Sequence, residues 1–130
     1  MTLSFLNPKG VFQPTGYAHV VSAEGAKKFL FISGQVARDE MGNIIGAGDL
    51  EGQTRQVYKN LSAILSAMGA SFADVVKQNI YTTRPDEMPT IRKVRDQFMP
   101  RDPPASTAVG VTALAQKDLL VEIEMIAVLG

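Results

Sequence analysis

The sequence predicts an α+β domain in which two helices cover one face of a β-sheet. Three observations carry that reading. Two segments repeat apolar residues at the spacing of a helical stripe. β-rich stretches precede, separate and follow them, in the order β-β-α-β-α-β-β. The last stretch alternates apolar and mixed residues strictly, as a strand with one buried face does. Two helices shield only one face of such a sheet, which leaves the other to water or to another subunit.

Each element has its own warrant. Residues 17–23 (Tyr-Ala-His-Val-Val-Ser-Ala) and 28–33 (Lys-Phe-Leu-Phe-Ile-Ser) read as strands, joined by Glu24-Gly25-Ala26-Lys27 as a hairpin turn. Met41-Gly42-Asn43 is a second turn signal. Asp49 is placed as an N-cap, with Glu51 favourable to the helix dipole. The helix that follows carries Leu50, Val57, Leu61, Ile64, Leu65 and Met68 on one stripe, and Gly69 stops it. Val75 to Thr83 is β-rich. Met88 to Met99 reads as a second amphipathic helix, with Ile91, Val94 and Phe98 inward and Arg92, Lys93, Arg95 and Asp96 outward. Pro89 suits its first turn, and Pro100, Pro103 and Pro104 end it. Two strands follow, near 106–114 and 119–128. In the last, Val121, Ile123, Met125 and Ala127 alternate with Glu122, Glu124, Ile126 and Val128. A freely solvated face rarely spends Ile126 and Val128 this way, so that face is expected to meet another subunit.

Composition bounds the function. The 130 residues suit one domain, 1–130, and 45% hydrophobic with 20% charged content reads as globular. Thirteen basic residues balance thirteen acidic ones, which offers no electrostatic footprint for nucleic acid or an anionic membrane. There is no cysteine, so disulfides, thiolate nucleophiles and cysteine-held metals are excluded, and a reducing, cytoplasmic setting is expected. No signal peptide is apparent at Met1-Thr2-Leu3-Ser4, and no apolar run approaches the ~20 residues of a membrane span. The single histidine, His19, falls on a predicted strand and is read as a strand residue, not a catalytic base. Gly46-Ala47-Gly48 begins like a dinucleotide fingerprint but lacks its third glycine.

Several motifs, in order and spacing, resemble the Rid/YjgF family of reactive intermediate deaminases. Phe31-Ile32-Ser33-Gly34-Gln35 is similar to the family's strand ending in Ser-Gly-Gln. Gln53, Gln56 and Asn60 match its first-helix pattern. Met68-Gly69-Ala70-Ser71 with Asp74-Val75-Val76-Lys77 resembles its helix-to-strand junction, and Val121 to Ala127 its C-terminal signature. The resemblance implies a chorismate-mutase-like mixed β-sheet with two helices on one face, assembled as a homotrimer with clefts between subunits. It implies a cofactor-free, metal-free deaminase that hydrolyses small enamines or imines.

The resemblance also implies site residues. Tyr17 stands at the family's cleft tyrosine, Ser33 and Gly34 at its Ser-Gly pair, and Glu122 at the glutamate that positions water. A carboxylate in a half-buried cleft suits that task. The family's carboxylate-binding arginine is missing: in Pro104-Ala105-Ser106-Thr107, Ser106 stands in its place. One hydroxyl does not replace a bidentate guanidinium. Ser106 and Thr107 remain possible hydrogen-bonding partners for a ligand. Arg92, Arg95 or Arg101 would have to supply a cation from another direction, with Arg92 at the helix position that often holds asparagine beside the cleft. Glu124 reads as structural. Two functions stay open: a deaminase-type hydrolase, or a non-catalytic metabolite-binding or chaperone-like trimer. The zero net charge and the lack of a stacking aromatic cluster give an RNA-directed role no support.

Overall fold

The chain runs β1 (Thr2–Leu6), β2 (Val20–Glu24), β3 (Lys28–Gln35), α1 (Leu50–Ala67), β4 (Val75–Thr82), α2 (Met88–Phe98), β5 (Ala105–Gly110) and β6 (Val121–Leu129). These elements come from a computed structural model that describes residues 1–130. A four-stranded sheet has the order β3-β6-β4-β5. β6 pairs antiparallel with β3 and β4, and β4 pairs parallel with β5, so the sheet is mixed as expected. The α+β architecture with two helices on one face is borne out.

The N-terminal part differs from the sequence reading. β1 was not anticipated, and it pairs antiparallel with β2 as a separate two-stranded ribbon. β2 begins at Val20, so Tyr17 and His19 precede it in a loop. Gly25, at φ +76°, does make a turn, but the strands on its two sides belong to different sheets. The reason is competition for partners. β3 pairs along the nine-residue, mostly buried β6, with Leu30 beside Ala127 in the core, whereas β2 satisfies its backbone on Thr2–Leu6. β5 is also shorter than expected. It stops at Gly110, which packs so closely on Pro85 that a Cβ there would stand 2.7 Å from the proline Cγ.

The helices obey local rules. Asp49 caps α1, its Oδ1 accepting from the Gly52 amide at 3.0 Å. At the other end Gly69 takes φ +74°, and the Gly69 and Ala70 amides donate to the Ser66 and Leu65 carbonyls. That reciprocal pattern closes a helix on a left-handed glycine. Leu50, Val57, Leu61 and Leu65 are buried, joined by Gln53, Thr54 and Tyr58; Met68 stays 42% exposed. Burial of each such leucine contributes roughly 1.5–3 kcal/mol. Tyr58 stacks on Phe98 at 5.5 Å between ring centroids, which ties α1 to the end of α2.

Arg95 corrects the expected polar face of α2. It is 6% exposed, not outward. The N-terminal loop folds over it, so that a Cβ on Gly16 would lie 2.9 Å from its Nη2. Its guanidinium is paired with Asp96 at 2.6 Å.

The core lies between the helices and one face of the sheet, where Val75, Ile80, Val121, Ile123, Met125 and Ala127 are buried. The other face of the sheet is uncovered within the chain. It shows half-buried Glu122, Glu124 and Ile126 beside Phe29 and Phe31, the latter 77% exposed. Val128 departs from this set and is buried. No helix is long and apolar enough to cross a membrane.

Candidate functional site

β6 carries two acids onto the open face, two residues apart. Across the ladder, Glu122 stands opposite Tyr81 and Glu124 opposite Asn79 on β4. Glu124 is engaged through one oxygen: its Oε1 accepts from Asn79 Nδ2 at 2.9 Å and from the Tyr81 hydroxyl at 2.8 Å. The hydrogen bonds from Asn79, then Tyr81, favour its ionised form and hold its carboxyl below the usual range. The same bond to Glu124 raises the Tyr81 phenol, which loses its acceptor if it ionises.

Glu122 is placed differently. Its carboxylate enters no ion pair and takes no side-chain hydrogen bond. It rests instead on β3, where the register slips between Ile32 and Gln35. A Cβ added to Gly34 would stand 2.8 Å from the Glu122 Cδ and collide with Oε2. Only glycine lets the acid lie flat against the neighbouring backbone. Gly34 and Glu122 are thus brought together, with Ser33 the preceding residue of β3. A groove of about 360 Å³ opens beside Glu122, with Val111, Ala113, Leu114 and Ala115 forming an apolar wall opposite Tyr81 and Glu124. A second recess of about 300 Å³ lies between Phe31, Ser33, Lys77, Asn79 and Glu124.

Two side-chain amides of α1 set the strands that meet here. Gln53 is wholly buried; its Nε2 donates to the Asp118 carbonyl at 2.7 Å and the Gly46 carbonyl at 3.2 Å. The Leu120 amide donates to Gln53 Oε1 at 2.8 Å, immediately before β6. Asn60 Nδ2 donates to the Val36 and Arg38 carbonyls at 3.3 and 2.9 Å, immediately after β3. Gln56 in turn donates to Asn60 Oδ1 at 2.9 Å. One helix therefore fixes the entry of the strand bearing Glu122 and the exit of the strand bearing Gly34. The sequence pattern Gln53, Gln56, Asn60 had singled out these residues without their tethering roles.

The remaining expected site residues gather at the opposite edge of the sheet. The Ala18 amide donates to the Pro104 carbonyl at 3.2 Å, which lays the Tyr17 loop along the start of β5. Tyr17 packs edge-on to His19 with 5.6 Å between centroids. Arg92 Nη2 donates to the Thr15 carbonyl at 3.3 Å. Ser106 pairs in register with Gln78, whose side chain is buried on the helix face. Thr107 pairs with Asn79 on the open face and accepts from Lys77 Nζ at 3.0 Å. Ser106 and Glu122 therefore face opposite sides of one protomer's sheet, and Tyr17 and Arg92 lie by the β5 edge while Glu122 lies by β3. Lys77, Asn79 and Tyr81 were missed by sequence reasoning. Their alternation with Gln78, Ile80 and Thr82 is visible, but both sets are partly polar, so only register tells which faces Glu124.

No group of three or more His, Cys, Asp or Glu side chains is arranged to hold a metal. What the face offers is a free carboxylate, a fixed polar network and an apolar wall. That combination suits orientation of water against a small organic ligand.

The sheet, the Ser-Gly bulge and the strand-borne glutamate define an α+β protein of the Rid/YjgF class, and the comparisons agree. The chain belongs to that family: the family model described as Endoribonuclease L-PSP matches residues 12–129. It is 32% identical over 124 residues to the 3-aminoacrylate deaminase RutC of Acinetobacter baylyi, covering 92% of this chain and 98% of that one. It is 33% identical over 118 residues to a 2-iminobutanoate/2-iminopropanoate deaminase of Dermatophagoides farinae, covering 90% and 89%. Among solved structures, a Rid-family protein of unknown function from Yersinia pestis, YyfB, superposes with a TM-score of 0.90 at 36% identity, over 99% of this chain and 100% of that one.

Proposed function

We propose that this protein is a cofactor-free, deaminase-type hydrolase of a small enamine or imine, with Glu122 as the residue that positions water. The observation that carries this reading is the contrast between the two acids. Glu124 is committed to Asn79 and Tyr81, whereas Glu122 is held against Gly34 with its oxygens unengaged. A water on that carboxylate would add to the C=N carbon as its proton passes to Glu122. Glu122 would return that proton to the nitrogen to give the carbinolamine, whose collapse forms C=O and breaks C–N as the hydroxyl proton passes to the nitrogen, which leaves as ammonia. Relatives named as 3-aminoacrylate and 2-iminobutanoate/2-iminopropanoate deaminases support this substrate class.

The half-site around Glu122 and Ser33-Gly34 is completed, in this reading, by an adjacent copy in a homotrimer. The uncovered sheet face with Phe29, Phe31 and Ile126 supplies an apolar contact surface. Tyr17 and Arg92, with Ser106, then form the far wall of a cleft shared by two subunits and line its small-molecule ligand, whereas Thr107, on the other face of β5 and bonded to Lys77, does not share that wall. Purified protein mixed with enzymatically generated imines should release ammonia. Glu122→Gln should lower that rate roughly 10²- to 10⁴-fold, the usual worth of a positioned acid–base group. Equal ammonia release by the variant would end the assignment.

Ser106, in place of the family's arginine, favours one other reading: a trimer that binds a metabolite, or acts as a chaperone, without chemistry. Ligand-dependent thermal stabilisation with no product would mark that case.

A further inference from the structure

We propose that the ligand Glu122 acts on carries no carboxylate: it is an aliphatic iminium ion, cationic at the reacting nitrogen and apolar beyond it. This deepens the reading of Glu122 given above and rests on it.

The groove beside Glu122 holds charge of one sign. Glu122 and Glu124 line it with Tyr81, Val111, Ala113 and Leu114 among their neighbours, and no lysine or arginine does. Lys117 lies two residues beyond Ala115 and stays outside it. On β4 the cation of the same face is Lys77, four residues from Tyr81 and so about 13 Å along the strand, where it donates to Thr107. Both acids count as charges. Glu122 has no side-chain partner, and Glu124 has two neutral donors, which favour its ionised form and leave its net charge in place. A carboxylate entering this groove meets two like charges and no counter-ion, and the apolar wall thins the water that would screen them. A protonated C=N group meets the opposite, with the wall left for its aliphatic part.

The far wall offers a carboxylate little. Arg92 Nη2 donates to the Thr15 carbonyl, and a Cβ on Gly16 would stand 3.4 Å from its Nε and Cζ, so this guanidinium clamps the loop. Arg95 is buried and paired with Asp96 at 2.6 Å. Ser106 brings a hydroxyl and no charge.

The step balances for such a cation. Water adds to the C=N carbon as its proton passes to Glu122, giving a neutral carbinolamine. Glu122 hands that proton to the nitrogen. The C–N bond then breaks as the hydroxyl proton follows, leaving a carbonyl compound and ammonium. The two carboxylates favour the protonated imine, which is the electrophilic form, until water has added.

Two matched pairs of probes test the charge selection. 3-Methylbutylammonium and 3-methylbutanoate share an aliphatic chain and do not react. Calorimetric titration of the intact protein should give the cation a Kd lower by roughly 10-fold or more. Ala113→Arg, at an exposed position of the wall, and Glu124→Gln should each shrink that ratio. For turnover, a flavin amine oxidase acting on 3-methylbutylamine and an L-amino acid oxidase acting on leucine release imines that differ only in the carboxylate. Ammonia release should be accelerated over the spontaneous rate roughly 10-fold more for the first. Tighter binding of the anion, greater acceleration of the leucine-derived imine, or a ratio unmoved in both variants would overturn the proposal. So would anion binding that is lost in Arg92→Met or Arg101→Met. Glu122→Gln keeps the two claims apart. If it abolishes hydrolysis of a preferred 2-imino acid, the Glu122 reading holds and this proposal fails. If the native protein prefers the cation while Glu122→Gln hydrolyses its imine at the native rate, the Glu122 reading fails and the charge selection stands.

Discussion

Glu122 and Glu124 share a strand, a face and a residue type, yet the fold uses them in opposite ways. Glu124 sits where β4 offers an amide and a phenol in register, and it becomes part of the sheet's own hydrogen bonding. Glu122 sits where β3 slips register at Gly34, and it meets a bare backbone. Side-chain partners come with the regular ladder; the irregular junction leaves an acid unspent. The lesson is that a bulge can do for a carboxylate what burial does elsewhere, by withholding partners without removing water.

The sharpest way to break this comparison is to exchange the consequences. Glu122→Gln should remove turnover by the factor given above while leaving the melting temperature within about 2 °C, since surface changes without partners stay near ±0.5 kcal/mol. Glu124→Gln should do the reverse in kind, retaining measurable turnover while altering the Asn79–Tyr81 network. Equal loss of turnover in both variants would erase the distinction between the two acids.

Gln53→Leu attacks the frame that holds Glu122 in place. The substitution leaves the Leu120 amide and the Asp118 and Gly46 carbonyls without their partner inside the protein. A cost on the order of 3 kcal/mol is expected, read as a lower midpoint in urea at unchanged slope. A loss below about 1 kcal/mol would mean that water takes over the amide's bonds.

Gly34→Ala tests the close approach itself. The added methyl must displace the Glu122 side chain, since its nearest neighbours are the atoms of that carboxylate. A stability cost of about 1–3 kcal/mol is expected from overpacking, with a fall in turnover larger than stability alone explains. Unchanged turnover would show that Glu122 does not need its seat on the glycine.

Much of the fold was legible because its signals are local. Asp49, the α1 stripe and Gly69 mark one helix within about twenty residues, and the alternation along Val121–Ala127 marks β6 by itself. What escaped depended on distant partners. Thr2–Leu6 is too short and mixed to announce a strand, and it becomes one only against Val20–Glu24. Arg95 reads as a surface residue from its helix position, and it is buried because a loop some eighty residues earlier folds over it. Ser106 and Glu122 were both visible as site positions, but the face of each follows from pairing with β4, which no single segment encodes. The partners of Glu124 were hidden for the same reason.

The smallest effect expected is in the acid limb of stability. The folded chain holds the Glu124 carboxyl below its usual range through Asn79 and then Tyr81. A depressed folded value means that the unfolded chain binds the proton first, so the stabilisation is complete above the unfolded carboxyl's pKa of about 4.3. It is lost as pH falls below that point and through the folded value. The raised Tyr81 phenol gives the mirror image, present below its unfolded pKa of about 10 and lost as pH rises through its folded value. Between these limits the pair should be insensitive to pH. Thermal melts of the native chain and of Glu124→Gln, taken from pH 7 to pH 3, should run parallel until about pH 5 and then converge, because the variant has no proton to take up. Parallel curves throughout would show that Asn79 and Tyr81 do not favour the ionised acid, and the contrast with Glu122 would lose its electrostatic half.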